Sequence, residues 1–297
     1  MNTFLSLTKR NVKMFFKDKG MFFTSLITPI ILLVLYATFL AKIYRDSFAS
    51  ALPEGFTIDE KLISATVGGQ LMSSLLAVSC VTVSFCANLL MVQDKVNGAR
   101  KDMLVTPVRR SVVASSYYVG TLLTTVIVSL VATGACFIYL AINGWYLSFG
   151  DVMLIILDVV ILTMFGTALA SVVNVFLTSS GQASAVGTVV SAGYGFICGA
   201  YMPINQFGSG LQKVLSLLPG TYGTSLIRNH CLGGVFREMS AVGFPSEAVE
   251  GIKESIDCNI SFFGNTVSIG AMYAVILGAT ALLIGAFVLI NVLRKRA

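Results

Sequence analysis

Residues 68–92 read GGQLMSSLLAVSCVTVSFCANLLMV. No charged side chain interrupts this run, and it exceeds the roughly 20 apolar residues a helix needs to cross a hydrocarbon core. Five further stretches of this kind occupy residues 21–41, 112–142, 151–177, 184–202 and 266–293. Of the 297 residues 56% are hydrophobic and 11% charged, against about 25% charged in soluble domains. The mean hydropathy is +0.84. The spans and their connections use nearly the whole chain. An all-α membrane protein is therefore expected, one domain over residues 1–297 with six transmembrane helices and no large soluble module.

The net charge of +6 is unevenly placed. Lys9, Arg10, Lys13, Lys17 and Lys19 precede the first span, Lys95, Arg100, Lys101, Arg109 and Arg110 follow the second, and Arg294, Lys295 and Arg296 end the chain. Only Asp18, Asp94 and Asp102 oppose them on that side, whereas acidic residues outnumber basic ones on the other. The positive-inside rule places both termini in the cytoplasm of a cell with the protein in its inner membrane. The basic surplus is then a topology signal and a contact with anionic lipid, and no nucleic-acid partner is expected. The first apolar run is longer than the 7–15 residues of a signal-peptide core, so it reads as a retained helix.

Residues 1–20 form an amphipathic pattern. Phe4, Leu5, Thr8, Val12, Phe15 and Phe16 share one arc at about 100° per residue, with the basic residues beside it. Such a segment beds in the membrane interface, either as a plain anchor or as a connecting helix that touches a cytoplasmic partner. The loop 93–111 begins QDKVNGARKDMLVTPVRR. Its mixed charge, its short helical piece and the stop imposed by Pro107 suit a docking element better than a plain positive-inside loop. Gly195 and Gly199 make a GxxxG, which lets helices approach closely. Residues 203–265 read as an external element. A piece around Leu211, Val214, Leu215 and Leu218, too short to span, suits a re-entrant or interfacial helix, and a polar, acidic cap follows.

Chemistry-bearing residues are few. Asp158 is the one ionisable residue well inside an expected span, and a carboxylate there needs a polar cavity or a partner. Asn88 and Asn174 suit interhelical hydrogen bonds. His230, the only histidine, falls in the external loop, where a solvated role is expected. Cys231 and Cys258 fall in the same loop, in a compartment that permits a disulfide; a bridge and two free thiols are both open. No CxxC pair or histidine cluster exists, so no metal site is expected. No GxxxxGK[ST] loop exists to cradle ATP phosphates, and nothing marks a catalytic constellation.

Two local patterns carry a resemblance. One runs from Asp94 and Lys95 through Gly98, Leu104, Thr106, Pro107 and Val108 to Arg109 and Arg110. The other joins Gly199, Ala200, Tyr201, Met202, Pro203 and Ile204 to Leu218, Pro219, Thr221, Tyr222 and Arg228. With the amphipathic start and six spans, the chain resembles the ABC-2 type permease family, and Lys9, Arg10 and Pro29 resemble its drug-exporter branch. Cys231 and Cys258 stand outside that pattern. The resemblance implies a non-catalytic exporter subunit for an amphipathic or hydrophobic substrate. It would act with a second permease subunit, identical or not, and with separate ATP-binding subunits that carry the ATP and Mg. Asp94, Lys95, Gly98, Arg100, Lys101, Pro107, Arg109 and Arg110 would couple to the ATPase. Ser84, Asn88, Thr188, Ser191 and Tyr194, with Asp158, are candidates for the translocation path. A glycan or lipid-linked polymer exporter and a non-pumping membrane sensor or immunity protein are the alternatives.

Overall fold

The computed structural model describes residues 2–36, 42, 59–262 and 264–293. The expected end of the first span at 37–41, Arg45, and the terminal Arg294, Lys295 and Arg296 lie outside the described residues. The bundle is built around one helix, α3 (Glu60–Val96). From residue 65 to 92 only Leu89 escapes burial. A helix apolar all round belongs in the middle of a bundle, and here it is wrapped by α2 (Lys19–Leu35), α5 (Arg110–Asn143), α6 (Phe149–Asn174), α7 (Ser180–Ile197) and α9 (Pro219–Ala241). Small residues allow this crowding. A Cβ on Gly69 would lie 2.6 Å from Leu232 Cδ2, and one on Gly166 2.8 Å from the Cys80 carbonyl oxygen.

α1 (Asn2–Lys17) meets α2 at 71°. Asp18 caps the start of α2, its carboxylate accepting from the Met21 amide at 3.1 Å. α1 packs on α5 through Thr8, Asn11 and Phe15, and Asn11 seats on Gly120, where a Cβ would sit 2.8 Å from Asn11 Cβ. The buried stripe is rotated from the expected arc: Phe4 and Val12 are half-buried and Leu5 and Phe16 exposed. The polar Asn11 joins the contact because glycine opens a seat for it.

Four described helices are long and apolar enough to span: α3, α5, α6 and α11 (Ile269–Leu293); the bent pair of α1 and α2 would make a fifth. The expected count of six is not reached among the described residues, because the stretch expected at 184–202 yields only the 18-residue, glycine- and serine-rich α7. Gly199, at φ 72°, turns the chain there. The Tyr201 ring then folds back onto Gly195, where a Cβ would lie 2.3 Å from its Cζ. The GxxxG is thus a turn device within one segment rather than a helix-pairing face.

Beyond the turn come a 3₁₀ turn (Ile204–Gln206), α8 (Ser209–Leu215) and α9. Residues 219–241, expected in a polar external cap, instead form a 23-residue helix buried against α3, α6 and α11. α9 runs antiparallel to α6. A Cβ on Gly223 would meet Leu162 Cδ1 at 2.5 Å, about 20 Å along α6 from its start, while Arg237 reaches Asp151 at that start. The short helix expected around residues 211–218 is α8, and α9 follows it as a longer, buried helix. The cap itself is α10 (Ser246–Ser255) and a hairpin of β1 (Ser261–Phe262) and β2 (Asn265–Thr266). Large apolar side chains point outward from α5 and α11, Val131, Ile138, Ile142, Leu282 and Val288 among them, as lipid-facing surfaces require.

Candidate functional site

At the Val96 end of the bundle the loop forms α4 (Ala99–Val105). Gly98 starts it at φ 85°, a left-handed conformation that glycine adopts without cost. The helix stops at Val105, and Thr106 before Pro107 is extended (φ −76°, ψ 158°), as the proline ring demands of its predecessor. Met103, Leu104 and Val108 pack on the bundle. Lys101, Val105, Pro107, Arg109 and Arg110 are exposed, Val105 at 87%, and Arg100 is half-buried. The element therefore presents a mainly basic and apolar surface, with Asp102 also exposed on it, on a fixed footing.

Asp94 and Lys95, expected on that surface, turn inward. Asp94 is buried. Arg10 donates to both its oxygens, Nη2 to Oδ1 at 2.9 Å, and Tyr117 donates to Oδ2 at 2.6 Å. The hydrogen bond with Asp94 raises the Arg10 pKa further above its ordinary value. Lys95 Nζ donates to the carbonyls of Leu177 (2.6 Å) and Val175 (3.4 Å) just past the end of α6, where a cation complements the helix dipole. Both residues brace α3 against its neighbours next to α4.

Between α2 and α7, with α3 as the floor, lies a groove of about 670 Å³. Thr24, Thr28, Thr188 and Ser191 give hydroxyls among Ile27, Ile31, Leu89 and Ala192, and Asp18 and Gln93 close one end. Of the expected path residues only Thr188 and Ser191 line it. Ser84 donates to the Cys80 carbonyl at 2.8 Å and lies 3.2 Å from Thr167 Oγ1. Asn88 donates to Thr121 (3.2 Å) and Ser171 (3.1 Å) and accepts from Asn174 (3.1 Å), the interhelical role expected of both asparagines. Tyr194 is buried, its hydroxyl 2.6 Å from where a Gly220 Cβ would be. These three are packing residues inside this chain.

Asp158 lies between three helices. His230 Nδ1 is 2.5 Å from Oδ2, and the Tyr273 hydroxyl donates to Oδ1. His230, expected in solvent, is thus buried beside the carboxylate, because α9 carries it into the bundle. Arg228 has no exposed surface. It donates to the carbonyls of Ile256 (2.5 Å) and Gly199 (2.9 Å) and to Ser74 Oγ (3.4 Å), with Asp257 at 3.8 Å. Asp257 accepts from the amides of Ile204 (2.5 Å) and Asn205 (3.4 Å). Burial raises its pKa from the ordinary carboxylate value even with Arg228 beside it. Thr221 donates to the Leu215 carbonyl at 2.9 Å and Tyr222 to that of Ser216 at 2.6 Å, closing the turn around Leu218 and Pro219. The second sequence pattern is therefore one structural node: Arg228 ties the Gly199 turn and the cap to α3.

Cys231 and Cys258 are free thiols rather than a bridge. Each is buried in a different apolar cluster, and burial pushes the Cys258 thiol up to about 12. Arg10, Tyr117, Asp257 and Tyr273 were not legible as functional. Each acts through a partner distant in sequence, and nothing around Arg10 in the sequence pointed to Asp94. A family model described as ABC-2 type transporter matches residues 2–231, from α1 into α9. No curated protein matches the chain.

Proposed function

This chain belongs to the ABC-2 type transporter family, and from that premise we propose that it is the permease subunit of an ATP-driven exporter. A second permease subunit, identical or a sister chain, completes the path, and separate subunits bind ATP and Mg. Both termini and α4 lie on the cytoplasmic side of the cell membrane. An amphipathic or hydrophobic compound is the substrate, supported by a groove that mixes aliphatic side chains with hydroxyls, among them Thr24, bonded to the Gly20 carbonyl, and Thr188, bonded to the Ser184 carbonyl at 3.0 Å. This chain performs no hydrolysis; it converts a push into a rearrangement of helices.

The observation that carries the reading is the exposed surface of α4 beside a rigid footing. A partner pressing on Lys101, Val105, Pro107, Arg109 and Arg110 moves α4 about the glycine joint at Gly98. Asp94 passes that displacement to α1 through Arg10 and to α5 through Tyr117. Closure of the ATP-binding subunits would then rock helices as rigid bodies, a transition of established type.

The test is co-purification of the chain with the products of neighbouring genes in mild detergent. An ATP-hydrolysing subunit is expected with the wild type and lost with Arg109→Glu combined with Arg110→Glu. A chain that purifies alone under every mild condition would defeat the exporter reading and favour a sensor.

A further inference from the structure

A cavity of about 410 Å³ opens at the cap end of the molecule between α9, α10 and the start of α11. Its ionisable lining is entirely basic in type: His230 and Arg237 from α9 and Lys253 from α10, with no carboxylate among the lining residues. Each base has a carboxylate behind it. Asp158 holds His230 at 2.5 Å, Asp151 takes both terminal nitrogens of Arg237, and Glu250 holds Lys253 at 2.7 Å. The Lys253 ammonium is also set 5.4 Å above the Phe236 ring. Asp151 is fixed in turn by a capping box with Ser148, accepting from its amide at 2.7 Å and its hydroxyl at 2.8 Å.

An arginine or lysine bonded to a carboxylate on one side has its remaining N–H groups directed to the other. For histidine the carboxylate fixes the ring, and Nε2 then donates to an oxyanion in the imidazolium form or accepts from a protonated phosphate oxygen in the neutral form. His230 Nε2 and Arg237 Nε have no hydrogen-bond partner among the described residues, and a lysine ammonium has three donors, of which Glu250 takes one. The three carboxylates cancel most of the net charge, so a diffuse attraction for any anion is not what the cavity offers. It offers several directed donors at once, which a tetrahedral oxyanion with three acceptor oxygens satisfies and chloride does not. The remaining wall is apolar, with Phe236, Val249 and Ile269. Ile269 is the first residue of α11, a candidate span, so the cavity lies where the membrane gives way to headgroups.

The geometry points to a phosphate-type oxyanion site formed by His230, Arg237 and Lys253, filled by an anionic phospholipid headgroup or by free phosphate. Its occupant bridges α9 to the cap helix α10. The site stands independently of the exporter reading, since it concerns binding alone.

The test uses the purified full chain in nanodiscs. In phosphatidylcholine, sodium phosphate is titrated against sodium chloride at matched ionic strength while thermal unfolding is followed. In a parallel arm with phosphatidylglycerol mixed in, native mass spectrometry reads the lipid retained by the chain. A saturable rise in midpoint with phosphate identifies the free anion, and preferential retention of phosphatidylglycerol identifies the lipid. In either case Lys253→Met, and separately Asp151→Asn with Arg237→Gln, weaken binding at least about tenfold, the worth of one charge-assisted hydrogen bond. Lys213→Met, in a different cavity, leaves it unchanged. Should the double variant fail to fold, Lys253→Met decides, since methionine keeps the apolar stem of this half-buried side chain on Phe236. No saturable binding in either arm, or binding indifferent to these substitutions, overturns the site.

Discussion

Asp94 accepts three hydrogen bonds in a buried position, two of them from Arg10. Removing the cation strands a carboxylate with Tyr117 as its remaining side-chain donor. Arg10→Ala should therefore cost about 2–3 kcal/mol, below the usual range for a broken buried pair because the Arg10 side chain is 30% exposed. Thermal unfolding in detergent measures this, and Arg10→Met with Asp94→Leu should recover part of the loss, because no orphan charge remains and only the Tyr117 hydroxyl loses its acceptor. Recovery would assign the pair to bracing; a double variant as weak as the single one would contradict that. Asp257 gives a second expectation, with its sign set by burial. Its pKa in the fold is raised from the ordinary value near 3.8, so the folded chain holds that proton more tightly than the unfolded one. The resulting stabilisation is complete below the ordinary carboxylate pKa and lost as pH rises through the raised value. Unfolding midpoints followed across the acid range should show this contribution in the wild type and not in Asp257→Asn.

The helices differ in what their sequences disclose. α3, α5, α6 and α11 are legible because each is a charge-poor run longer than a bilayer core, and lipid leaves such a run one backbone solution. α9 is not. It carries Thr221, Thr224, Ser225, Arg228 and His230, which look like solvent-facing residues until α3, α6 and the cap supply their partners. α4 was legible from its short helical piece and the stop at Pro107, whereas the inward turn of Asp94 needed Arg10 from eighty-four residues away. The same contrast separates two glycines. A Cβ on Gly234 would lie 1.9 Å from the Tyr146 carbonyl oxygen, and backbone cannot yield as a side chain does, so Gly234→Ala should cost about 3 kcal/mol, the upper end for overpacking. Gly98 has open space around it but a φ of 85°. Gly98→Val should cost about 1–2 kcal/mol of local strain, read as faster amide exchange confined to residues 99–105 with the global unfolding midpoint little changed. Exchange spreading into α3 would show that α4 is not the separable element argued above.

Across the whole molecule the outer surface is of two kinds. The faces of α5 and α11 expose bulky aliphatic residues, Leu282 at 77% and Ile142 at 79%. The face made by α2 and α7 is different: it is concave, with small residues, hydroxyls and the Asp18 carboxylate at its end. Lipid chains solvate the first kind fully. The second leaves α7 touching little but α3, its own turn and, through Tyr194, the start of α9, a thin anchorage for a helix that exposes Val189 at 71%. In the proposed exporter the second permease subunit covers this face, so that two grooves meet and enclose the path. With Cys86, which lines the groove, replaced by alanine, Thr188→Cys should link the two subunits efficiently with a short thiol cross-linker, and Leu282→Cys should not. Substrate added beforehand should lower the Thr188→Cys yield, since the same groove would be filled. Linking through Leu282→Cys in place of Thr188→Cys would move the interface to α11 and leave the groove open to lipid, and a path enclosed by α2, α3 and α7 would then have no second wall.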